Sequence, residues 1–343
     1  MGDGGRRLRL GVTLPGSIPP AEVKRLAGRV EAAGFDSLWV LDVRRDPYLL
    51  AAAALDATSR VTVGTNVAVA FARSPTVTAT SAWDLARWGS GRFVLGLGSQ
   101  VGPTLKARFG VEMDRPAPRM RDYVNAVRAC FEAFTRGYGR YDGEFYSIRR
   151  PAFQPGADPL PAFPPVYVAA VNPIMTGVAG AVGDGLAAHP MSTPDYLAEV
   201  VRPRLEASAA AAGRPCPELL LQLVVSPSRE LAATQMMVYT VPGYRRVLAH
   251  HGLGGKVDEV LEASAAGRRT DAKAIIDESY LDLVGAIVGD DVEGGLQRWR
   301  AVADHITLSV PWFGVEEAEQ VRLLEALIER AAPLTRPGGG PRP

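Results

Sequence analysis

The stretch from Val61 to Gln100 constrains the fold of this 343-residue chain more than any other. It reads as an apolar strand ending at Gly-Thr-Asn, a polar loop, a helical segment opened by Pro75, and a second apolar strand ending in Gly-Leu-Gly-Ser-Gln. Proline suits a first helical turn because the N–H it lacks has no intrahelical acceptor there. Strand–helix units of this kind gather polar atoms beyond the carboxyl ends of their strands, as in a barrel or an open α/β sheet. Functional groups are therefore expected at that rim.

The same alternation runs almost from end to end. RLRLGVTLP suits a first strand, and PAEVKRLAGRVEAAG an amphipathic helix with Val23, Leu26, Ala27, Val30 and Ala33 on one stripe. FDSLWVLD gives a second strand ending at Asp42, and DPYLLAAAALDAT a helix begun by Pro47. After the fourth strand comes an interruption. RMRDYVNAVRACFEAFT is helical, but RYDGEFYSIRRPAFQPGADPLPAFP is rich in Pro, Gly and aromatics, with a short hairpin expected at Tyr141 to Ile148. Such an excursion either lies over a barrel rim or packs on the surface.

Alternation resumes with PPVYVAAV, NPIMTGVAGAVG, GLAAHP, TPDYLAEVVRPRLEASAAAAG and ELLLQLVVS. A helix-rich segment from Arg229 to Gly289 follows, then DHITLSVPW and the closing helix EEAEQVRLLEALIERAA. The pattern predicts an α/β fold: a single (β/α)8 TIM barrel over residues 1–334, with insertions after strand 4 and strand 7. The tail PLTRPGGGPRP is expected not to pack, leaving residues 335–343 disordered. An open doubly wound sheet is the alternative, but LPGSIPP after strand one is not the Gly-rich fingerprint that fold would want.

A hydrophobic content of 47% supplies a large core, and a net charge of +1 gives no reason to expect nucleic acid or a membrane surface as partner. No apolar run reaches the ~18 residues of a membrane span, and MGDGGRRLRL lacks a signal peptide's apolar segment. The expected location is the cytoplasm. Cys130 and Cys216 lie far apart without metal spacing, and no His/Asp/Glu set shows ligand spacing, so no metal is expected. GLGSQ is not a nucleophile elbow, which argues against Ser-based hydrolysis.

GFDSLWVLD, GTNVAVAFARSP, AWDLARWGSGRFVLGLGSQV, ARFGVEMDRPAPRMRDYV and GEFYS together resemble the bacterial luciferase-like superfamily, as do VYVAAVNPIMTGVAGAVGDGLAAHP and VVRPRLE. Within it, the chain looks most like the coenzyme F420-dependent oxidoreductases. The resemblance runs from about Leu8 to Arg330 and implies a (β/α)8 barrel, commonly dimeric, with a flavin or deazaflavin at the carboxyl rim. A homodimer acting on a small-molecule substrate is therefore expected.

Site residues follow from the resemblance, each beside a plainer reading. It implies a non-prolyl cis peptide at Asn66–Val67 beneath the ring; the plainer reading is an ordinary strand end. Asp42 either approaches the pyrimidine side of the ring or serves as a turn or cap residue. Some relatives carry a histidine just after that position, where this chain has Val43, Arg44 and Arg45. An arginine cannot shuttle protons near neutrality, but Arg45 could hold an anionic substrate. Ser99 and Gln100 could bond ring or substrate oxygens without titrating, or cap a helix. Ala170, Val171, Asn172 and Thr176 surround a helix start suited to a cofactor phosphate, and Arg73 could partner the long anionic side chain of F420. His189, at the end of strand six, is the rim histidine and a candidate for proton exchange near pH 7; packing is its plainer role. Tyr239 and Tyr244 are placed in a lid over the substrate. The catalytic set is then Asp42, Gln100 and His189.

Three functions compete at this level. The first is hydride transfer between F420 and a small organic substrate; the second is an FMN-dependent monooxygenase on the same platform. The third is a degenerate barrel that only binds.

Overall fold

In a computed structural model of the chain, residues 8–149 and 160–335 are described. The apolar runs become eight parallel strands: β1 (Arg9–Leu14), β2 (Ser37–Val40), β3 (Thr62–Thr65), β4 (Phe93–Gly98), β5 (Val166–Ala169), β6 (Gly185–Ala188), β7 (Glu218–Ser226) and β8 (His305–Ser309). Each pairs with the next, and β8 pairs with β1 to close the ring. The predicted TIM barrel is what the chain forms.

Register sets the interior in layers. Gly11 lies opposite Ser37, which lies opposite Thr62; two residues on, Thr13, Trp39 and Gly64 form the next level. Inside the barrel Trp39, Val94, Tyr167, Ala187 and Leu220 make one buried cluster. A Cβ on Gly64 would come 2.4 Å from the Trp39 ring, so the indole occupies space that only glycine leaves. Large side chains thus interlock with small neighbours, and the barrel centre is a packed core rather than a pore.

Below this layer the amino end is closed by a polar cluster. Arg9 pairs with Glu218 and donates to His305 Nδ1 at 3.0 Å, and the Tyr167 hydroxyl donates to Glu218. His305 Nε2 lies 2.8 Å from Ser37 Oγ, which also accepts from Trp39 Nε1 at 2.7 Å. Burial, with Arg9 adding to it, holds the His305 imidazole neutral.

The outer helices begin where the sequence places them. Pro47–Asp56 is capped by Asp46, whose carboxylate accepts from the backbone N–H groups of Tyr48 and Leu49; Pro75–Trp88 is capped by Ser74. Cys130 is buried in the helix Pro116–Arg136. The helix after β6 carries a π-turn at Leu197–Val201, where Arg202 N bonds Leu197 O. Pro203 follows directly; it has no N–H to continue an i→i−4 ladder, and the wider turn accommodates it.

Both insertions are present, with details the sequence did not announce. The residues VGPTLKARFG hold a helix, Gly102–Phe109, before Pro116–Arg136. The expected hairpin forms between Arg140–Asp142 and Ser147–Arg149, while residues 150–159 of the Pro-rich segment lie outside the described residues. After β7 the helix Arg229–Tyr239 and four shorter or later helices end in a strand, Ala286–Val288, that pairs parallel to Val224–Ser226. The start of the tail corrects an expectation: Ala332–Thr335 forms a 3-10 turn, and Thr335 is buried with its hydroxyl donating to Ala33 O at 2.7 Å. Residues 336–343 lie outside the described residues. No helix among the described residues is long and apolar enough to cross a membrane.

Candidate active site

At the carboxyl end β3 stops at Thr65, and the Asn66–Val67 peptide bond is cis, as the resemblance implies. The chain then rejoins the sheet, Ala68 and Val69 pairing with Leu97 and Gly98 of β4. Thr65 Oγ1 fastens the bulge by donating to Gly96 O at 2.7 Å and accepting from Gly96 N at 2.9 Å. The two glycines of β4 make room for it. A Cβ on Gly96 would lie 1.9 Å from Thr65 O, and one on Gly98 would lie 2.5 Å from a Val67 methyl. The Gly-Leu-Gly before Ser99 therefore serves the backbone of the neighbouring strand.

Behind the bulge runs a buried chain of amides. Asn66 Nδ2 donates to Gln222 Oε1 at 3.0 Å, Gln222 Nε2 donates to Ser309 Oγ at 3.1 Å, and that hydroxyl donates to Leu223 O at 2.9 Å. It links β3, β7 and β8 across the mouth. Gln222 and Ser309 were not singled out by sequence reasoning. The available signal was a lone glutamine inside the apolar run ELLLQLVVS.

Asp42 lies in a network of ion pairs beside the mouth. Its side chain is 2% exposed, and its oxygens accept from Val69 N at 3.1 Å, Arg73 Nη1 at 2.9 Å and Arg108 Nη2 at 3.1 Å. Arg108 also donates to Asp42 O at 2.9 Å. Arg73, read as a partner for an anionic side chain, is instead held by Asp42 and by Asp46 at 2.9 Å. Two carboxylates and two guanidiniums thus neutralise one another beside the mouth. Arg45 donates to Ser17 O at 2.9 Å and reaches toward Glu317 at 4.0 Å.

After β4, Gln100 has a left-handed backbone (φ 62°) and its Oε1 accepts from Val101 N at 3.0 Å, just before the helix Gly102–Phe109. Ser99 donates to Gln100 O at 3.1 Å. Ala170 is buried, and Val171 is half-buried beside it. Asn172 precedes the helix Pro173–Val182 without capping it; its Nδ2 donates instead to Gly243 O at 2.8 Å, tying the second insertion to the rim. Among the described residues the first N–H groups of that helix have no side-chain cap. Thr176 is fully buried, its hydroxyl donating back to Asn172 O at 3.1 Å.

His189 lies at the centre of an aromatic group. Its ring stacks on Tyr244 at 4.6 Å and meets Tyr239 edge-on at 4.5 Å. Trp312 Nε1 donates to the Tyr239 hydroxyl at 3.1 Å, and Gln235 holds the Trp312 and Phe313 backbone. Met191 N donates to His189 Nδ1 at 3.1 Å, so the neutral ring carries its proton on Nε2. Burial pushes the imidazole's pKa down to about 3 and Tyr239's up to about 12; it also raises Tyr244. Burial therefore favours the neutral form of the His189 ring.

Asn66, Ser99, Gln100, Ala170 to Asn172, His189, Tyr239 and Tyr244 thus gather at one rim, while Arg45 and Thr176 are engaged elsewhere. An uncharacterised protein of Mycobacterium tuberculosis is 37% identical over 88% of this chain and 93% of its own length. A second protein of that organism, provisionally named a coenzyme F420-dependent oxidoreductase, is 28% identical over 95% of this chain and 100% of its own. Among solved structures, the coenzyme F420-dependent tetrahydromethanopterin reductase of Methanopyrus kandleri superposes with a TM-score of 0.76 at 19% identity, covering 96% of this chain and 100% of that one, a likeness of fold. The family model described as luciferase-like monooxygenase matches residues 7–293, and with the bulge and barrel on hand the chain belongs to that family.

Proposed function

We propose that the chain is an oxidoreductase that uses coenzyme F420 to transfer a hydride to or from a small organic substrate at the carboxyl rim. The observation that carries this reading is the Asn66–Val67 bulge, a backbone shelf fastened to β4 by Thr65 and to β7 and β8 by the Asn66–Gln222–Ser309 chain. The residues present suit the cofactor: the shelf offers a platform for a planar ring, and the uncapped helix start at Asn172 offers backbone N–H groups to a phosphate. Bound there, the deazaflavin would supply the two-electron redox chemistry.

The chain's own residues then do the positioning. The amide chain fixes the shelf, and the aromatic group of His189, Tyr239 and Tyr244 walls the mouth against water. His189, neutral with its proton on Nε2, is a hydrogen-bond donor of fixed tautomer, suited to hold a substrate oxygen while charge develops on it. With that imidazole neutral and both tyrosines raised, the site favours alignment over acid strength. A homodimer belongs to the same reading: Leu49, Val77 and Trp88 are 68%, 55% and 58% exposed on neighbouring helices.

Titrating the apoprotein separately with F420 and FMN tests the assignment. We expect micromolar or tighter binding of F420 and weak binding of FMN. Tight FMN binding with none for F420 would instead establish a flavin monooxygenase, and binding of neither would leave a barrel without redox chemistry.

A further inference from the structure

The side chains that wall the mouth carry no charge and meet none. Among the described residues, no Asp, Glu, Lys or Arg acts on His189, Tyr239 or Tyr244. Burial alone lowers the imidazole; beyond burial, Tyr244 feels only Tyr239, and Tyr239 only Trp312 and Gln235. The charges that border the shelf cancel in place, Asp42 holding Arg73 and Arg108 while Arg73 also holds Asp46. We infer that the mouth selects an uncharged carbonyl compound with a flat, apolar body, its oxygen received by the Nε2–H of His189 and the hydroxyl of Tyr244; the inference rests on the F420 reading above. An ion entering here gives up water without meeting a counter-charge, a cost that a neutral molecule is spared.

The hydrogen-bonding groups left over are donors. His189 Nδ1 accepts from Met191 N at 3.1 Å, which uses the ring's acceptor and leaves Nε2–H to donate. The Tyr239 oxygen already accepts from Trp312 Nε1 at 3.1 Å. The Tyr244 hydroxyl has no partner among the described residues, although its ring is stacked 4.6 Å from His189 and only 17° from parallel. A carbonyl oxygen, with two lone pairs and no proton, answers both donors at once. The shape is set by rings and small apolar groups. Tyr239 stands edge-on to His189, and Val67 and Ala169 lie half-buried on the Trp39 cluster beside the bulge.

The test uses protein loaded with oxidised F420, which cannot reduce the probes, and titrates acetophenone, ethylbenzene, benzoate and benzylammonium by ligand-observed NMR. We expect acetophenone to bind about tenfold more tightly than either ion. His189→Phe keeps a ring and removes the N–H; it should lose about fivefold for acetophenone and nothing for ethylbenzene. Tyr244→Phe strands no partner and should lose about threefold with the same selectivity. Circular dichroism checks that both variants fold. Either ion binding as tightly as acetophenone overturns the inference. So does acetophenone affinity that is undetectable, or equal in wild type and both variants. Each of these results leaves the F420 reading intact, because the cofactor is bound throughout. Failure of wild type to bind F420 overturns both.

Discussion

The two ends of this barrel both bury polar side chains, yet they use them in opposite ways. At the amino end every ring nitrogen of His305 and the Trp39 indole has a protein partner, and Glu218 holds Arg9 and Tyr167 together. At the carboxyl end His189 has only Nδ1 engaged by the backbone, and the helix after Asn172 begins uncapped. Buried polar groups normally find partners inside the protein, because leaving one unpaired costs about 1–3 kcal/mol. The amino-end cluster pairs most of its groups with one another, leaving Arg9 Nε and Glu218 Oε1 without a partner, whereas the carboxyl end keeps His189 Nε2 and a helix start open among the described residues.

That contrast can be broken by substitution. Trp39→Ala, in the fully packed layer, should cost about 3–5 kcal/mol of stability in urea unfolding while leaving F420 affinity of the folded fraction unchanged. Loss of binding with little change in stability would show that the two ends are not separable. Gly96→Ala should have a smaller effect on stability, about 1–3 kcal/mol, because its Cβ would press on the Thr65 carbonyl. It should also abolish cofactor binding, since the bulge must move; a variant that binds normally would remove the shelf from the argument. His189→Gln should change stability least and turnover most.

The same histidine sharpens the contrast through pH. Its folded pKa, about 3, lies below the ~6.5 of an unfolded histidine, so between these values the unfolded chain binds the extra proton. Stability from this group is complete above pH ~6.5 and is lost as pH falls toward 3. His189→Gln should therefore flatten the acid limb of a stability profile recorded between pH 7 and 4, and an unchanged limb would mean that the ring takes up a proton in the folded state. His305, held low in the same direction, remains in both proteins.

Much of the barrel was legible because each strand is a short apolar run and each helix has a stripe, with Pro47, Pro75 and Pro173 marking starts. The boundaries of β7 follow ELLLQLVVS directly. The site was less legible, because its key contacts join residues far apart in the chain. Arg108 reaches Asp42 from 66 positions away, and nothing in VGPTLKARFG signals that an arginine there would cover a carboxylate. The bulge could be named only from resemblance, since GTNVAV has no local pattern that distinguishes a cis bond from a strand end. Ala286–Val288 escaped notice because three residues are too few for any periodicity.

That small strand has a consequence for the evolution of the site. Because it runs alongside Val224–Ser226, the long excursion after β7 departs from and returns to one strand at the carboxyl edge of the ring, where Val224 also pairs with Ser309. Between those ends it is moored to the rim, by Asn172 at Gly243 and by Trp312 at Tyr239. Loop-closure entropy grows only by about 0.6 kcal/mol for each doubling of length. The excursion carrying Tyr239 and Tyr244 can thus be lengthened, trimmed or rewoven between those moorings for a new substrate while the staves beneath it stay as they are.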